Sequence, residues 1–343
     1  MWMRRPGDTI EPSVSYPQLL AAVLKRGALI AAANWPVALI QSTADGILKL
    51  LIGAPLLGGV LLVTIVIGAD LEALDTLDWR VIAASLVGSL VAHRAILVAF
   101  LLSLAVVIVG GSLFVFLVKG GTVATLVRGE RSSAGTSDRA GTDVLSTAWA
   151  FSIDEFIASS RMLFPRYARL GFVLMAVYAG SGAAYLAVAI AGRDGAPGWG
   201  SATLLLVLFV LWTTVVNLLY LLVQIVIAAD DCGLATAARR AAGFLRHERR
   251  LVLGVFGVVL GMVVLATGAS LLAFTALGMV FLVPVAWLAA IPLQLVAVVL
   301  RALVFQYIAL TSIASYLKLY REFANRERQP LTLAIPDEAP SRT

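Results

Sequence analysis

The sequence predicts an all-α, polytopic transmembrane helical bundle of six spans. Three observations lead there. Of 343 residues, 60% are hydrophobic and only 13% charged, where a soluble domain carries about 45–50% apolar and about 25% charged residues. Mean hydropathy is +0.95. Six stretches supply the roughly 20 apolar residues that a helix needs to cross the hydrocarbon. Backbone groups in lipid must be bonded within their own segment, so each stretch is expected as a helix. The alternation of a β-barrel is absent. Such a composition excludes an ordinary soluble enzyme and a disordered, collagenous or disulfide-framework chain.

The expected spans are residues 46–68, 96–118, 170–191, 201–229, 251–274 and 290–317. Lys49 opens the first and Asp70 follows it; Arg94 and Lys119 bracket the second; Arg169 and Arg193 bracket the third. Asp230 and Asp231 close the fourth, Arg249 and Arg250 open the fifth, and Lys318 closes the sixth. Residues 81–92 are apolar but too short to cross, and 276–288 follow the fifth span without a polar break. Both read as short interfacial or re-entrant helices. A seventh span between 251 and 317 is the competing reading. The polar start, residues 1–14, has no apolar h-region or cleavage site behind it, so no cleaved signal peptide is expected.

Orientation follows from Lys and Arg. Of 26 basic residues, 21 fall at the two ends and in the loops after the second and fourth spans. The opposite loops hold Arg80 and Arg193. Both termini are therefore expected in the cytoplasm of a bacterium, with the chain in its inner membrane. The net charge of +6 then points to anionic head groups. No signature of a nucleic-acid-binding module accompanies it, and no nucleic-acid partner is expected.

The chain also reads as one unit repeated three times, an amphipathic surface helix followed by a membrane hairpin. The units are 1–128, 142–229 and 230–322, with a flexible linker at 129–141 (GERSSAGTSDRAG) and a polar tail at 323–343. The surface helices are expected at 16–41, 142–161 and 231–247. In the second, Leu145, Trp149, Phe156 and Ile157 share a face. In the third, Leu234, Ala238 and Leu245 oppose Arg239, Arg240 and Arg246. Such helices lie in the interface plane with their apolar face toward acyl chains. Thr142-Asp143 and Asp230-Asp231 are read as helix N-caps.

Three stretches carry a family resemblance: Ile225 to Arg240 (IVIAADDCGLATAARR), Lys119-Gly120-Gly121, and Ala309 to Tyr316 leading to Lys318. By them the chain resembles six-span bacterial membrane proteins related to the membrane domain of glycerophosphoryl diester phosphodiesterases and to the YciC-like inner-membrane proteins. The resemblance implies topology. It carries over no hydrolase activity, because the acids and histidines of the catalytic barrel have no counterpart here.

Ionisable or polar groups inside spans are the functional candidates. Arg301 lies within the sixth span, with Gln294, Gln306 and Tyr307 along the same helix. Arg301 with Asn217 or Gln224 of the fourth span forms a candidate polar seam; snorkelling of Arg301 is the plainer account. Arg239, Arg240, Arg246, Arg249 and Arg250 are the candidate lipid-surface residues. Cys232 is a lone thiol, read as a small packed residue ahead of a reactive or acylated one. Gly257–Gly261 and Ala54–Gly58 have the spacing for close helix approach, expected within the chain. With His93, His247 and one cysteine there is no zinc set. Protease, nucleotide and dinucleotide motifs are missing as well. No cofactor or metal is expected.

These residues favour a non-enzymatic scaffold or accessory subunit that engages an envelope protein or anionic lipid. A transporter or channel with a polar seam around Arg301 is the alternative. A head-group enzyme built from Asp154, Glu155, Asp230, Asp231 and His247 has no supporting spacing.

Overall fold

A computed structural model describes residues 15–67, 88, 94–134, 145–191, 199–280 and 287–332. Among them are eight helices and no strand: α1 (Tyr16–Ala33), α2 (Trp35–Ile67), α3 (Arg94–Ser133), α4 (Ile153–Ala191), α5 (Trp199–Asp230), α6 (Leu234–His247), α7 (Arg249–Val280) and α8 (Trp287–Thr332). Six of them, α2, α3, α4, α5, α7 and α8, are long and apolar enough to cross a membrane. The chain is an all-α multi-pass bundle, as its composition predicts. The stretch at 81–92 lies outside the described residues apart from Gly88. The stretch at 276–288 is no separate helix where it is described: residues 276–280 continue α7.

Each long helix exceeds its span. They run from 32 to 46 residues, or about 48–69 Å against a hydrocarbon core of about 30 Å. The surplus lies at the end rich in arginine. There the helices pack into one core, with Leu126, Ile225, Ile227, Leu310, Tyr316 and Leu317 almost wholly buried. Away from that end large apolar side chains face outward, among them Leu204 and Leu208 on α5, Leu272 on α7 and Leu295 on α8. In water such a surface would be a severe liability. In lipid it is the ordinary solvent-facing surface.

The expected surface helices turn out differently. The first is broken at Asn34, so 16–41 is not one helix but α1 and the start of α2. Ser15 N–H donates to Gln18 Oε1 (3.3 Å), a reciprocal cap that starts α1. Asn34 Nδ2 donates to the carbonyls of Ile30 (3.0 Å) and Ala148 (2.9 Å), and Ala150 N–H donates to Asn34 Oδ1 (3.1 Å). One buried carboxamide thus ends α1 and pins the entry to α4. The apolar face of α1 packs against α8 rather than acyl chains. A methyl at Gly27 would overlap Ser315 Oγ and come within 2.8 Å of the Thr311 carbonyl.

The second expected helix is interrupted too: residues 145–147 make a single turn and α4 starts at Ile153. Leu145, Trp149 and Ile157 remain exposed while Phe156 is buried, so the four do not share one face. Thr142 and Asp143 lie outside the described residues. The third expected helix begins at Leu234 with Gly233 as its N-cap, so Asp230 and Asp231 do not cap it. Its buried residues are Ala237, Ala241 and Phe244. Phe244 meets the edge of Tyr320 on α8, ring centroids 5.6 Å apart. That face is sealed by protein. Gly129–Ser133, expected as the start of the linker, complete α3; residues 135–141 lie outside the described residues.

Three hairpins, α2–α3, α4–α5 and α7–α8, are each in contact along the chain, and the broadest packing joins α3 to α4 and α1 to α8. Glycines set these crossings. A methyl at Gly121 would overlap Ser160 Oγ and come within 2.8 Å of the Phe156 ring, and one at Gly129 would sit 2.8 Å from the Ala148 carbonyl. By contrast Gly257, Gly261 and Gly58 touch no other helix among the described residues. The G-x-x-x-G spacing therefore makes no close contact to another helix among the described residues. Across the core, Arg26 Nε of α1 donates to Glu130 Oε2 of α3 (3.1 Å), and Arg26 Nη2 donates to the Ser133 carbonyl (2.8 Å).

Arg26 and Glu130 are both buried, so removing one partner strands the other charge. Glu130→Ala is expected to cost about 3–5 kcal/mol, read as a lower apparent Tm in detergent. Replacing both residues by methionine should restore a large part of the loss.

Candidate functional site

One cavity of about 540 Å³ lies inside the bundle, walled by α2, α3, α5, α7 and α8. Its polar lining gathers toward the arginine-rich end: Gln41, Lys119, Thr122, Tyr220, Gln224, Ser312 and Tyr316. Beyond these the walls turn apolar, with Leu218 of α5, Val259 and Val263 of α7, and Phe305 and Ile308 of α8. Asn217 is the outlying polar member; Tyr178 of α4 donates its hydroxyl to Asn217 Oδ1 (2.6 Å). The helices α5 and α7 flank the cavity but share no extended packing, which leaves a lateral route into it.

Lys119 is the charge of this site. Its ammonium lies 5.3 Å from the Tyr220 ring centroid, a cation–π distance. Among the described residues it makes no ion pair or hydrogen bond. The carboxylate acting on it through space is that of Asp45 on α2, which accepts a hydrogen bond from Gln306 Nε2 on α8. Gln41 is 7% exposed, and its Oε1 has no partner. Lys119 and Asp45 escaped sequence reasoning, which placed them just outside the second and first spans. The missing signal is helix length: α2 starts at Trp35 and α3 runs to Ser133, so both side chains sit within helices.

The expected polar seam is divided. Asn217 and Gln224 do line the cavity, but Arg301 and Gln306 do not. Arg301 lies over the rings of Phe274 (5.8 Å) and Phe305 (5.6 Å). It borders a separate space of about 230 Å³ between α7 and α8, with Ala269, Ser270 and Ala297. Phe305 is a wall of both spaces. Gln294, nearer the start of α8, lines neither space. The Arg301 guanidinium is thus supported by aromatic faces on an exposed helix surface.

The candidate lipid-surface residues form a ridge on α6 and the first turn of α7. Arg239, Arg240, Arg246, Arg249 and Arg250 are all exposed. Arg240 pairs with Asp230, which also accepts the Tyr320 hydroxyl. Arg166 of α4 pairs with Asp231, whose φ of 49° makes the turn between α5 and α6. The two aspartates thus lock α4, α5, α6 and α8 together. The other four arginines of the ridge have no carboxylate partner among the described residues.

Cys232 is half-buried in this turn. Burial pushes its thiol above the usual range, and Asp230 adds to the shift while Arg240 opposes it. Less thiolate is then present at neutral pH, and the thiolate is the reactive form. Alkylation of Cys232 is expected to be slower at pH 7–8 than that of a thiol at exposed Ser132 in a Cys232→Ser background. Its rate should still be climbing at pH values where the exposed thiol has levelled off.

No protein family, curated protein or solved structure matches the chain. The resemblance to the phosphodiesterase membrane domain and the YciC-like proteins therefore gains no support from relatives, and the site stands on its own geometry.

Proposed function

We propose that the chain is a non-catalytic scaffold or accessory subunit of the bacterial inner membrane, with both termini in the cytoplasm, that holds anionic head groups against its basic end. The observation that carries this reading is the ridge. Arg239, Arg246, Arg249 and Arg250 are exposed, close in sequence and without carboxylate partners among the described residues. Evenly neutralised surface arginines would be ordinary solvation. An unneutralised row beside a membrane attracts anionic lipid at about 1 kcal/mol per residue. Exposed Trp35 and Trp149 at the same end suit the head-group level, where tryptophan is enriched. The sealed face of α6 supports a rigid platform, because Phe244, Tyr320 and Phe323 hold it to α8. A docked membrane protein partner would use the same platform. The transporter reading loses its stated centre, because Arg301 is not in the cavity that holds Asn217 and Gln224.

The full chain purified in mild detergent should retain anionic phospholipid in preference to zwitterionic lipid. Substituting glutamine for Arg239, Arg246, Arg249 and Arg250 together should lower the retained anionic lipid severalfold, with the difference fading as salt is raised. Equal retention of both lipid classes, or no change on substitution, would contradict the proposal.

A further inference from the structure

We propose that the cavity between α5 and α7 is a binding site for one anionic amphiphile, its charged head on Lys119 and its chain along the apolar walls. This goes beyond the ridge, which meets many head groups from outside. The site is internal and holds one molecule.

Four observations carry it. First, a charged lysine within a long apolar helix calls for a partner; Lys119 makes no ion pair among the described residues, and the carboxylate that acts on it through space, Asp45, is engaged by Gln306. Second, polar groups share the cavity with that charge: Gln41, Thr122, Tyr220, Gln224 and Ser312 belong to the same lining, the Tyr220 ring lies 5.3 Å from the ammonium, and Gln41 Oε1 is buried without a partner among the described residues. Third, the lining changes character in the direction a lipid does. Along α8 it passes from Tyr316 and Ser312 to Ile308 and Phe305. That run is about 16 Å of helix, close to half of the roughly 30 Å hydrocarbon. A lipid of the leaflet at the basic end would present its head at Lys119 and its chain toward the midplane. Fourth, the cavity of about 540 Å³ falls within the ordinary range of ligand sites, and the unpacked gap between α5 and α7 opens toward the lipid.

The alternatives fit less well. A small hydrophilic solute would leave the walls of Leu218, Val259, Val263 and Phe305 unused. A purely apolar molecule would leave Lys119 without an ion pair. The head required is a single anion, a phosphate diester or a carboxylate, because the described lining supplies one ammonium without an ion pair, beside carboxamide and hydroxyl groups.

The test uses the full chain in nanodiscs of zwitterionic lipid, doped with one of three photo-crosslinkable probes: phosphatidylglycerol, a long-chain fatty acid, or phosphatidylcholine. Crosslinks are mapped to peptides by mass spectrometry. At least one anionic probe should label the α5 and α7 segments that line the cavity, and phosphatidylcholine should not. Labelling by phosphatidylglycerol alone assigns a phosphate head, and by fatty acid alone a carboxylate head. Lys119→Gln should lower that labelling about tenfold, the loss of one charge-assisted contact; Lys119→Arg should keep most of it. Ala309→Trp, which fills the cavity and leaves the charge, should abolish it and serves if Lys119→Gln does not fold. The ridge substitutions of Arg239, Arg246, Arg249 and Arg250 should leave it unchanged, which separates this proposal from the scaffold reading. Equal labelling by phosphatidylcholine, no labelling of the lining segments, or anionic labelling that survives both Lys119→Gln and Ala309→Trp would overturn it.

Discussion

The structure depends on a mismatch of lengths. Helices of 32 to 46 residues are far longer than a bilayer about 30 Å thick requires. The excess turns must lie outside the hydrocarbon, where apolar side chains again gain by leaving water. They do so by packing on one another. That single constraint places the core at the arginine-rich end, draws α1 and α6 onto it, and leaves the lipid-facing lengths loosely associated. It also accounts for the polar ties gathered at that end, Arg26–Glu130, Asn34 with Ala148 and Ala150, and Asp230 with Arg240 and Tyr320; within the spans α4 and α5 are tied by Tyr178–Asn217 and Trp212–Ser181. At the arginine-rich end the charged ties order the packed core, where burying a charge in hydrocarbon would need full compensation.

The same constraint shapes the cavity. Helices held together at one end and spread at the other leave space between them, and here that space lies between α5 and α7. Its inner end falls where the packed core begins, so its floor is polar. Its outer walls belong to the spans, so they are apolar. A graded, laterally reached space is a natural product of this geometry. Lys119 gives it a charge that makes no ion pair among the described residues, with Asp45 acting on it only through space.

Span number and helical type are legible in the sequence because hydrocarbon thickness sets a minimum run of apolar residues, and six such runs stand out. Helix ends are less legible. Residues 129–133 look like the start of a Ser- and Gly-rich linker, yet Gly129 is the small residue under the Ala148 carbonyl and Glu130 is the partner of Arg26. Both roles arise from contacts more than a hundred positions away in one case and nearly twenty in the other, which no local pattern records. The break at Asn34 is hidden for the same reason. Of the candidate site, Asn217 and Gln224 were readable as polar residues in a span. Lys119 and Asp45 were not, because an apolar-run criterion ends a span at the first charge. Arg301 was readable as an anomaly, but its support, Phe274 and Phe305, depends on how α7 meets α8.

The most direct measurement is the depth of nitroxide labels along α8, read as collision with oxygen against a water-soluble nickel chelate in nanodiscs. Leu295 and Val299 face outward within the span, and Glu322 and Arg326 face outward beyond it. Labels at the first two should collide with oxygen and be shielded from nickel, and labels at the last two should meet nickel readily. Oxygen-dominated signals at Glu322 and Arg326, or free nickel access at Val299, would show that the surplus turns do not leave the hydrocarbon and would contradict the account.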